Sequence, residues 1–503
     1  MTPYMLTRRF FITAMLASAA VPALASAPLT SPRPHHRPLR GAQKVKAASP
    51  RASIADIVQG AGLSGEVSIL VSDSQGRVLE SYTPDRDLPP ASVTKSVTAL
   101  YALQHLGANH RFATSLITTG PVSGGIVQGD VILAGGGDPH LDTDGLASLA
   151  DKLRAAGITG VTGRFRVYSG ALPYQQSIDP QQPDHVGYNP AVSGLNLNFN
   201  RVYFEWKRQG NGYATTMDAR TNKYRPAVRG IRVGIVNRQG PLFTYKKSTK
   251  NEDWTVMRGA LGKGGGRWLP VREIDAYVGE VFRGLAAQKG VRLPEATSTN
   301  RLQNGTVVAQ EVSAPLQAQV KGMLKYSTNL TAEVTGLATT RKRGSAVRNL
   351  AGSAREMSSW VEKAYGVNGV KFVDHSGLGD DSRVNAQQMV QILARSGWNG
   401  PLRPLLKEIK LVNSKGRSAP IDGVTVLAKT GTLNFASALA GFIDAPNGQK
   451  LTFAIFTADM KRRSQISRAN RERPEGGRAW RKRSKGMQQK LLRHWALEYG
   501  VGS

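Results

Sequence analysis

The sequence predicts an α+β protein: strands from both ends of the chain form one antiparallel sheet with helices on both sides, and a large, mostly β region is inserted between them. Three observations carry this reading. "GEVSILVSDSQGRVLESY" holds two apolar runs around Asp73-Ser74-Gln75-Gly76, a hairpin signal. Near the far end, "TVLAKTGT", "SALAGFID" and "KLTFAIFTA" supply matching strands, and a terminal helix follows around Trp480 to Tyr499. The middle, residues 109 to 304, is rich in glycine and turns and reads as an inserted accessory region of two subdomains.

In chain order, "TRRFFITAMLASAAVPALASA" comes first, with Arg8 and Arg9 ahead of a short apolar run and Ala23-Leu24-Ala25 as a small-residue cleavage site. Thr7, Arg8, Arg9 and Phe10 resemble a twin-arginine signal, so residues 1–25 are expected to direct export to the periplasm of an already folded chain. Phe10 to Val21 is too short to span a bilayer, and no later segment is apolar and long enough. Residues 26–51, "SAPLTSPRPHHRPLRGAQKVKAASPR", are rich in proline and basic residues and read as an extended linker. The domain built on the strands from both ends then falls into two parts, 52–108 and 305–503. Within the insertion, "GIVQGDVILAGGGDP" reads as strand, turn, strand and a glycine loop before a helix near Asp142. Gly135-Gly136-Gly137 lacks the Lys-Ser/Thr of a phosphate cradle and the spacing of a dinucleotide loop, which leaves a tight turn.

Composition narrows the function classes. A chain of 503 residues has room for two or three domains. It carries 67 Lys and Arg against 35 Asp and Glu, a formal charge of +32, and still +30 (32 minus 2) once residues 1–25 are removed. Such charge implies anionic surroundings: nucleic acid, lipid or cell-wall polymer. The absence of cysteine excludes disulfides, a thiol nucleophile and thiolate metal sites.

The chemistry is carried by three short motifs. In "ASVTKSVTAL", Ser92 and Lys95 share one helical face, so the lysine amine can reach the serine hydroxyl. Lysine acts as a base only where burial or a neighbouring cation lowers its pKa. Ser327-Thr328-Asn329 follows the helical "PLQAQVKGMLKY", and Lys429-Thr430-Gly431 ends the strand "TVLA". Ser-x-x-Lys, Ser-x-Asn and Lys-Thr-Gly together make up the active-site set of penicillin-binding proteins and class A β-lactamases. Ser298-Thr299-Asn300 also fits the second pattern, but it lies in a polar, turn-like stretch with no helix leading into it, so Ser327 is preferred.

With these residues the chain resembles the class C penicillin-binding proteins, the D-alanyl-D-alanine carboxypeptidase and endopeptidase family. The resemblance covers most of the chain beyond the export segment, through "GDVILAGGGDP", "MLKYSTNLTAE", "VDHSGLG" and "AKTGT". It also accounts for the long insertion, since Ser92 and Ser327 are 235 residues apart (327 minus 92). His375 and Gly379 depart from the family's usual D-G-S-G-L-S pattern at one edge of the cleft.

The resemblance implies a penicillin-binding-protein/β-lactamase-like fold and a serine DD-peptidase that removes the terminal D-alanine from peptidoglycan stem peptides, with cleavage of D-alanine-containing cross-links as a further activity. Ser92 would attack the carbonyl of the penultimate D-alanine while Lys95 takes its proton. The backbone N–H groups of Ser92 and Thr432 would hold the oxyanion. Lys429, with Thr430, Gly431 and Thr432, would form the substrate side, Lys429 binding the terminal carboxylate and helping to hold Lys95 neutral. Ser327 would pass a proton to the leaving amine, and Asn329 would orient Lys95 and the substrate amide. β-Lactams, whose leaving amine stays tethered, are expected to be trapped as acyl-enzymes.

The rivals are weaker. Eight histidines are scattered with no His-Glu-x-x-His, so a zinc peptidase is disfavoured and no metal or cofactor is called for. No Gly-x-Ser-x-Gly sits in a strand-to-helix elbow, and the large insertion suits a peptidoglycan enzyme better than a β-lactamase. A different class of function, a non-catalytic binder of an anionic cell-envelope polymer, rests on residues 461–486, "KRRSQISRANRERPEGGRAWRKRSKG". Nucleic acid is disfavoured there, Trp480 being the only ring in the run.

Overall fold

The computed structural model describes residues 53–249 and 251–500; the export segment and the linker lie outside the described residues. The first hairpin pairs Glu66–Asp73 with Val78–Tyr82. Its turn is fixed by the Asp73 carboxylate, which accepts the backbone N–H groups of Gln75 (3.0 Å) and Arg77 (2.9 Å). Glu66–Asp73 then pairs antiparallel with Lys450–Ala458 from the far end of the chain, Ile69 opposite Ile455. The full sheet has six strands, in the order Lys407–Glu408, Thr425–Leu433, Ala436–Asp444, Lys450–Ala458, Glu66–Asp73 and Val78–Tyr82.

The inner strands read as unbroken apolar runs because both sheet faces are covered. In Lys450–Ala458, Leu451, Phe453 and Ile455 enter one core, and Ala454, Phe456 and Ala458 enter the other, the alternation that a strand imposes. The first core is closed by Ile54–Gln59 and by Gly477–Glu498, through Met487, Leu491, Leu492 and Trp495. The second is closed by Thr94–His105, Leu316–Tyr326, Leu350–Tyr365 and Ala386–Arg395. Helices therefore lie on both sides, and the helical layer of the second core carries the site.

The inserted region contains a five-stranded sheet, in the order Ala296–Thr299, Phe165–Tyr168, Val131–Gly135, Ala113–Thr118 and Thr306–Val312. Pairing of Thr306–Val312 with Ala113–Thr118 carries this sheet past the boundary expected at residue 304. Two three-stranded sheets follow, one built on Arg201–Gln209 and one on Glu252–Met257. A single apolar core, with Leu116, Phe165, Phe204, Trp254 and Phe282, runs through all three. The glycine loop is a point of close approach: a Cβ on Gly136 would lie 2.3 Å from the Ala113 carbonyl oxygen, and Gly137 has φ +90°. The helix after it, Thr143–Ala155, is capped by Asp142, whose side chain accepts the Gly145 N–H at 2.9 Å.

Candidate active site

Ser92 sits in a 3₁₀ turn, Ala91–Val93, that feeds directly into the helix Thr94–His105. Ala91 has φ +46°, a left-handed backbone rare for a residue with a side chain. Two glycines allow this turn to be packed tightly. A Cβ on Gly431 would lie 2.8 Å from the Pro90 carbonyl oxygen, and one on Gly377 only 1.8 Å from that of Ala91. The third motif and the loop after Asp374 are thus pressed against the turn that presents Ser92.

Lys95 is fully buried, and its Nζ lies 2.9 Å from Ser92 Oγ, 2.7 Å from Asn329 Oδ1 and 2.7 Å from the Ser376 carbonyl oxygen. Asn329 donates through Nδ2 to the Tyr188 carbonyl oxygen at 2.9 Å, which turns Oδ1 towards the lysine. Burial lowers the Lys95 pKa to about 8, against the charges of Asp374 and Glu333, which raise it. Of the three neighbours, two are acceptors only. A neutral amine has two N–H groups for them and one lone pair, which is left facing the Ser92 hydroxyl.

Ser327 ends the helix Leu316–Tyr326 in a left-handed conformation, φ 60° and ψ 39°, and Asn329 opens the next helix, Asn329–Lys342. This kink aims two side chains of one short motif at two different lysines. Lys429 Nζ donates to Ser327 Oγ at 2.9 Å and to the Thr430 carbonyl oxygen at 2.8 Å. Burial first, then the charges of Lys95 and Lys407, bring the Lys429 pKa down to about 6. The expected cation repulsion is therefore felt at Lys429, whereas burial carries the shift at Lys95.

Ser92, Ser327, Asn329 and Thr432 line a cavity of about 270 Å³. Lys95 and Lys429 are buried, Gly431 is packed against Pro90 and Ala91, and Thr430 is exposed. Ser298 does not line this cavity. It lies in the edge strand Ala296–Thr299 and pairs with Val167, so that stretch is a strand and not the expected turn.

Several residues of the site lie outside the three catalytic motifs. Glu333, fully buried, accepts the N–H groups of His375 (3.0 Å) and Ser376 (2.9 Å), and so fixes the carbonyl that Lys95 bonds. Asp374 accepts those of Gly377 (2.5 Å) and Gly379 (2.6 Å). Burial pushes both carboxyl pKa values up, each carboxylate being anchored by backbone donors within reach of the Lys95 charge. The signal for Glu333 was an acid in the otherwise small and apolar "LTAEVTG". His375 faces away from the cavity: Nε2 lies 2.8 Å from Ser353 Oγ, burial lowers its pKa to about 3, and Gly336 leaves room for its ring.

The basic run beginning at residue 461 forms part of the cavity wall. Arg463, Arg471, Glu472 and Arg481 line it. Arg463 and Arg471 both pair with Asp380, Arg468 pairs with Asp184 at 2.6 Å, and Glu472 pairs with Arg267 (2.9 Å) and His185 (2.8 Å) of the inserted region. Glu472 is held down at about 2, chiefly by its hydrogen bond from His185. Three of the eleven basic residues of the run are thus ion-paired within the protein, and Arg468 and Glu472 tie the insertion to the cleft.

A buried lysine against a serine, on an antiparallel sheet with helices on both faces, defines a protein of the penicillin-binding-protein/β-lactamase-like class. Residues 51–473 match the D-Ala-D-Ala carboxypeptidase 3 (S13) family, and the chain belongs to that family of serine peptidases. It is 25% identical over 448 residues to a D-alanyl-D-alanine carboxypeptidase of Actinomadura sp. (strain R39), covering 80% of each chain. A Haemophilus influenzae D-alanyl-D-alanine carboxypeptidase is 23% identical over 432 residues, covering 80% of this chain and 88% of the relative. The crystal structure of penicillin binding protein 4 from Haemophilus influenzae superposes with a TM-score of 0.70 at 19% identity, covering 89% of this chain and 98% of the other. Among the described residues no helix is long and apolar enough to cross a membrane, and no cluster of His, Asp and Glu could hold a metal ion.

Proposed function

We propose that this chain removes the terminal D-alanine of peptidoglycan stem peptides through an acyl-enzyme on Ser92. The observation that carries the proposal is the Lys95 amine, whose two carbonyl acceptors leave its lone pair for the Ser92 hydroxyl. Lys95 takes the Ser92 proton as Oγ attacks the penultimate D-alanine carbonyl, and the N–H groups of Ser92 and Thr432 receive the oxyanion. The bond to the leaving amine then breaks, with Ser327 relaying a proton to it from the Lys429 side, and water hydrolyses the ester. Lys429, Thr430 and Thr432 receive the terminal carboxylate; its arrival favours the protonated form of Lys429, which burial disfavours in the empty site. Carboxypeptidase activity leads, cleavage of cross-links follows, and β-lactams acylate the same serine.

Labelling with a fluorescent penicillin, followed by mapping of the modified residue, tests this reading. Label on Ser92 is expected; label elsewhere, or none on the folded protein, would overturn it. Within the basic run on which the anionic-polymer alternative rests, Arg463, Arg468 and Arg471 are ion-paired within the protein and not free for a polymer. Periplasmic export by the twin-arginine route is tested separately: replacing Arg8 and Arg9 with lysine should leave the chain in the cytoplasm, and undiminished export would rule that route out.

A further inference from the structure

On the far side of Glu472 from the catalytic cavity lies a second, larger one of about 850 Å³, walled by the inserted region and by residues 468–473. Glu472 lines both cavities, so they adjoin. Trp206, Phe243 and Tyr245 line the larger one, each fixed from behind. The Trp206 ring stacks on Phe204 at 5.1 Å and donates Nε1–H to the Leu261 carbonyl oxygen at 2.8 Å. Phe243 stacks on His185 at 5.2 Å with the Arg267 guanidinium 5.5 Å from its centroid, and Tyr245 packs on Trp254 at 4.9 Å. Around these rings stand Arg267, Arg468, Asp184 and Glu472, already paired with one another. Rigid rings beside a set of fixed charges suit a ligand with apolar C–H faces and polar substituents round its edge. A pyranose carrying acetamido groups has that form. The volume falls in the range of about 300–1,000 Å³ usual for small-molecule sites.

We infer that this groove binds the amino-sugar end of the peptidoglycan while the attached stem peptide enters the catalytic cavity. The inference rests on the DD-peptidase reading for its geometry: the two cavities share Glu472 as a wall, and an extended peptide of four residues reaches about 13 Å. It assigns the inserted region a positive role in recognition, and Glu472, with its partners His185 and Arg267, the role of partition between sugar and peptide.

Two measurements test it. In the first, the N-acetylglucosaminyl-N-acetylmuramyl disaccharide without peptide is titrated against the whole chain, with quenching of tryptophan fluorescence as the readout. Saturable quenching is expected, and it should be lost in Trp206→Leu and weakened at least tenfold in Tyr245→Leu. An oligomer of N-acetylglucosamine alone, binding equally well, would place the recognition in the acetamido sugar and not in the lactyl group, and still support the groove. No quenching, or quenching untouched by both substitutions, would overturn the inference. In the second, kcat/KM for the disaccharide pentapeptide is compared with that for the free pentapeptide. A preference of about tenfold, carried by KM, should fall to unity in the folded Trp206→Leu variant while penicillin acylation stays at the wild-type rate. An equal rate on both substrates in the wild type would also overturn it. Failure of penicillin to label Ser92 would instead count against the DD-peptidase reading, because disaccharide binding does not depend on catalysis.

Discussion

The two lysine pockets of the cleft contain the same group under the same burial, yet their surroundings differ in sign. Lys95 has three oxygen partners and two carboxyl groups nearby, and its pKa falls only to about 8. Lys429 has two oxygen partners and two other lysines as its charged neighbours, and its pKa falls to about 6. Desolvation alone would discharge both amines. The carboxyl groups below Lys95 keep it poised near neutrality, able to accept a proton and give it back, whereas Lys429 gains its charge only when an anion arrives.

Lys95→Arg should have the largest effect. The guanidinium keeps a charge in the pocket but offers no lone pair, so penicillin acylation should fall by about 10³-fold or more, measured by the rate of fluorescent labelling in a variant that melts like the wild type. Wild-type labelling would place the base elsewhere. Lys429→Ala should cost less, about 10- to 100-fold in kcat/KM for a peptide with a free carboxylate. It leaves in place the burial that carries the Lys95 shift, and Lys429 is itself largely uncharged in the empty cleft. Acylation needs the unprotonated amine and rises with pH through the Lys95 pKa, so this variant's rising limb should stay where burial sets it.

Glu333→Gln sharpens the comparison from the other side. Loss of a negative neighbour makes the protonated amine less favourable, so the limb should move to lower pH, where Lys429→Ala leaves it in place. One of the two N–H groups of His375 and Ser376 also loses its acceptor, at a stability cost of about 1–3 kcal/mol read from denaturant unfolding. A limb that moves the other way would separate Glu333 from the charge of Lys95. Gly336→Ala places a Cβ 2.2 Å from the His375 ring, so it should destabilise by about 1–3 kcal/mol and leave the limb in place. Arg468→Ala, which breaks a half-exposed pair with Asp184, should cost about 1 kcal/mol or less, and the melting temperature should barely move.

Much of this was legible in the chain. Asp73-Ser74-Gln75-Gly76, the three C-terminal strands and the last helix could be read because their signals are local: a turn acid, a run of apolar residues, a helical period. The three motifs could be read for the same reason, and Ser327 was separable from Ser298 by the helix that precedes it. The basic run could be seen but not understood, since its partners Asp184, His185 and Arg267 lie far away in sequence. Thr306–Val312 reads as outside the insertion because an edge strand pairing with Ala113–Thr118 leaves no mark on the residues between them.

By itself the sequence determined which elements form and which residue types are available for chemistry, because backbone propensity, apolar period and side-chain identity act over a few neighbouring residues. Tertiary structure alone decided which amine is the poised one. Lys95 and Lys429 are the same side chain in sequence; what separates them is that Glu333 and Asp374, from a helix and a loop far along the chain, fold beneath the first, while Lys95 itself and Lys407 stand as the charged neighbours of the second. Electrostatic energy depends on distance in space and on exclusion of water, and neither quantity exists until the chain has folded.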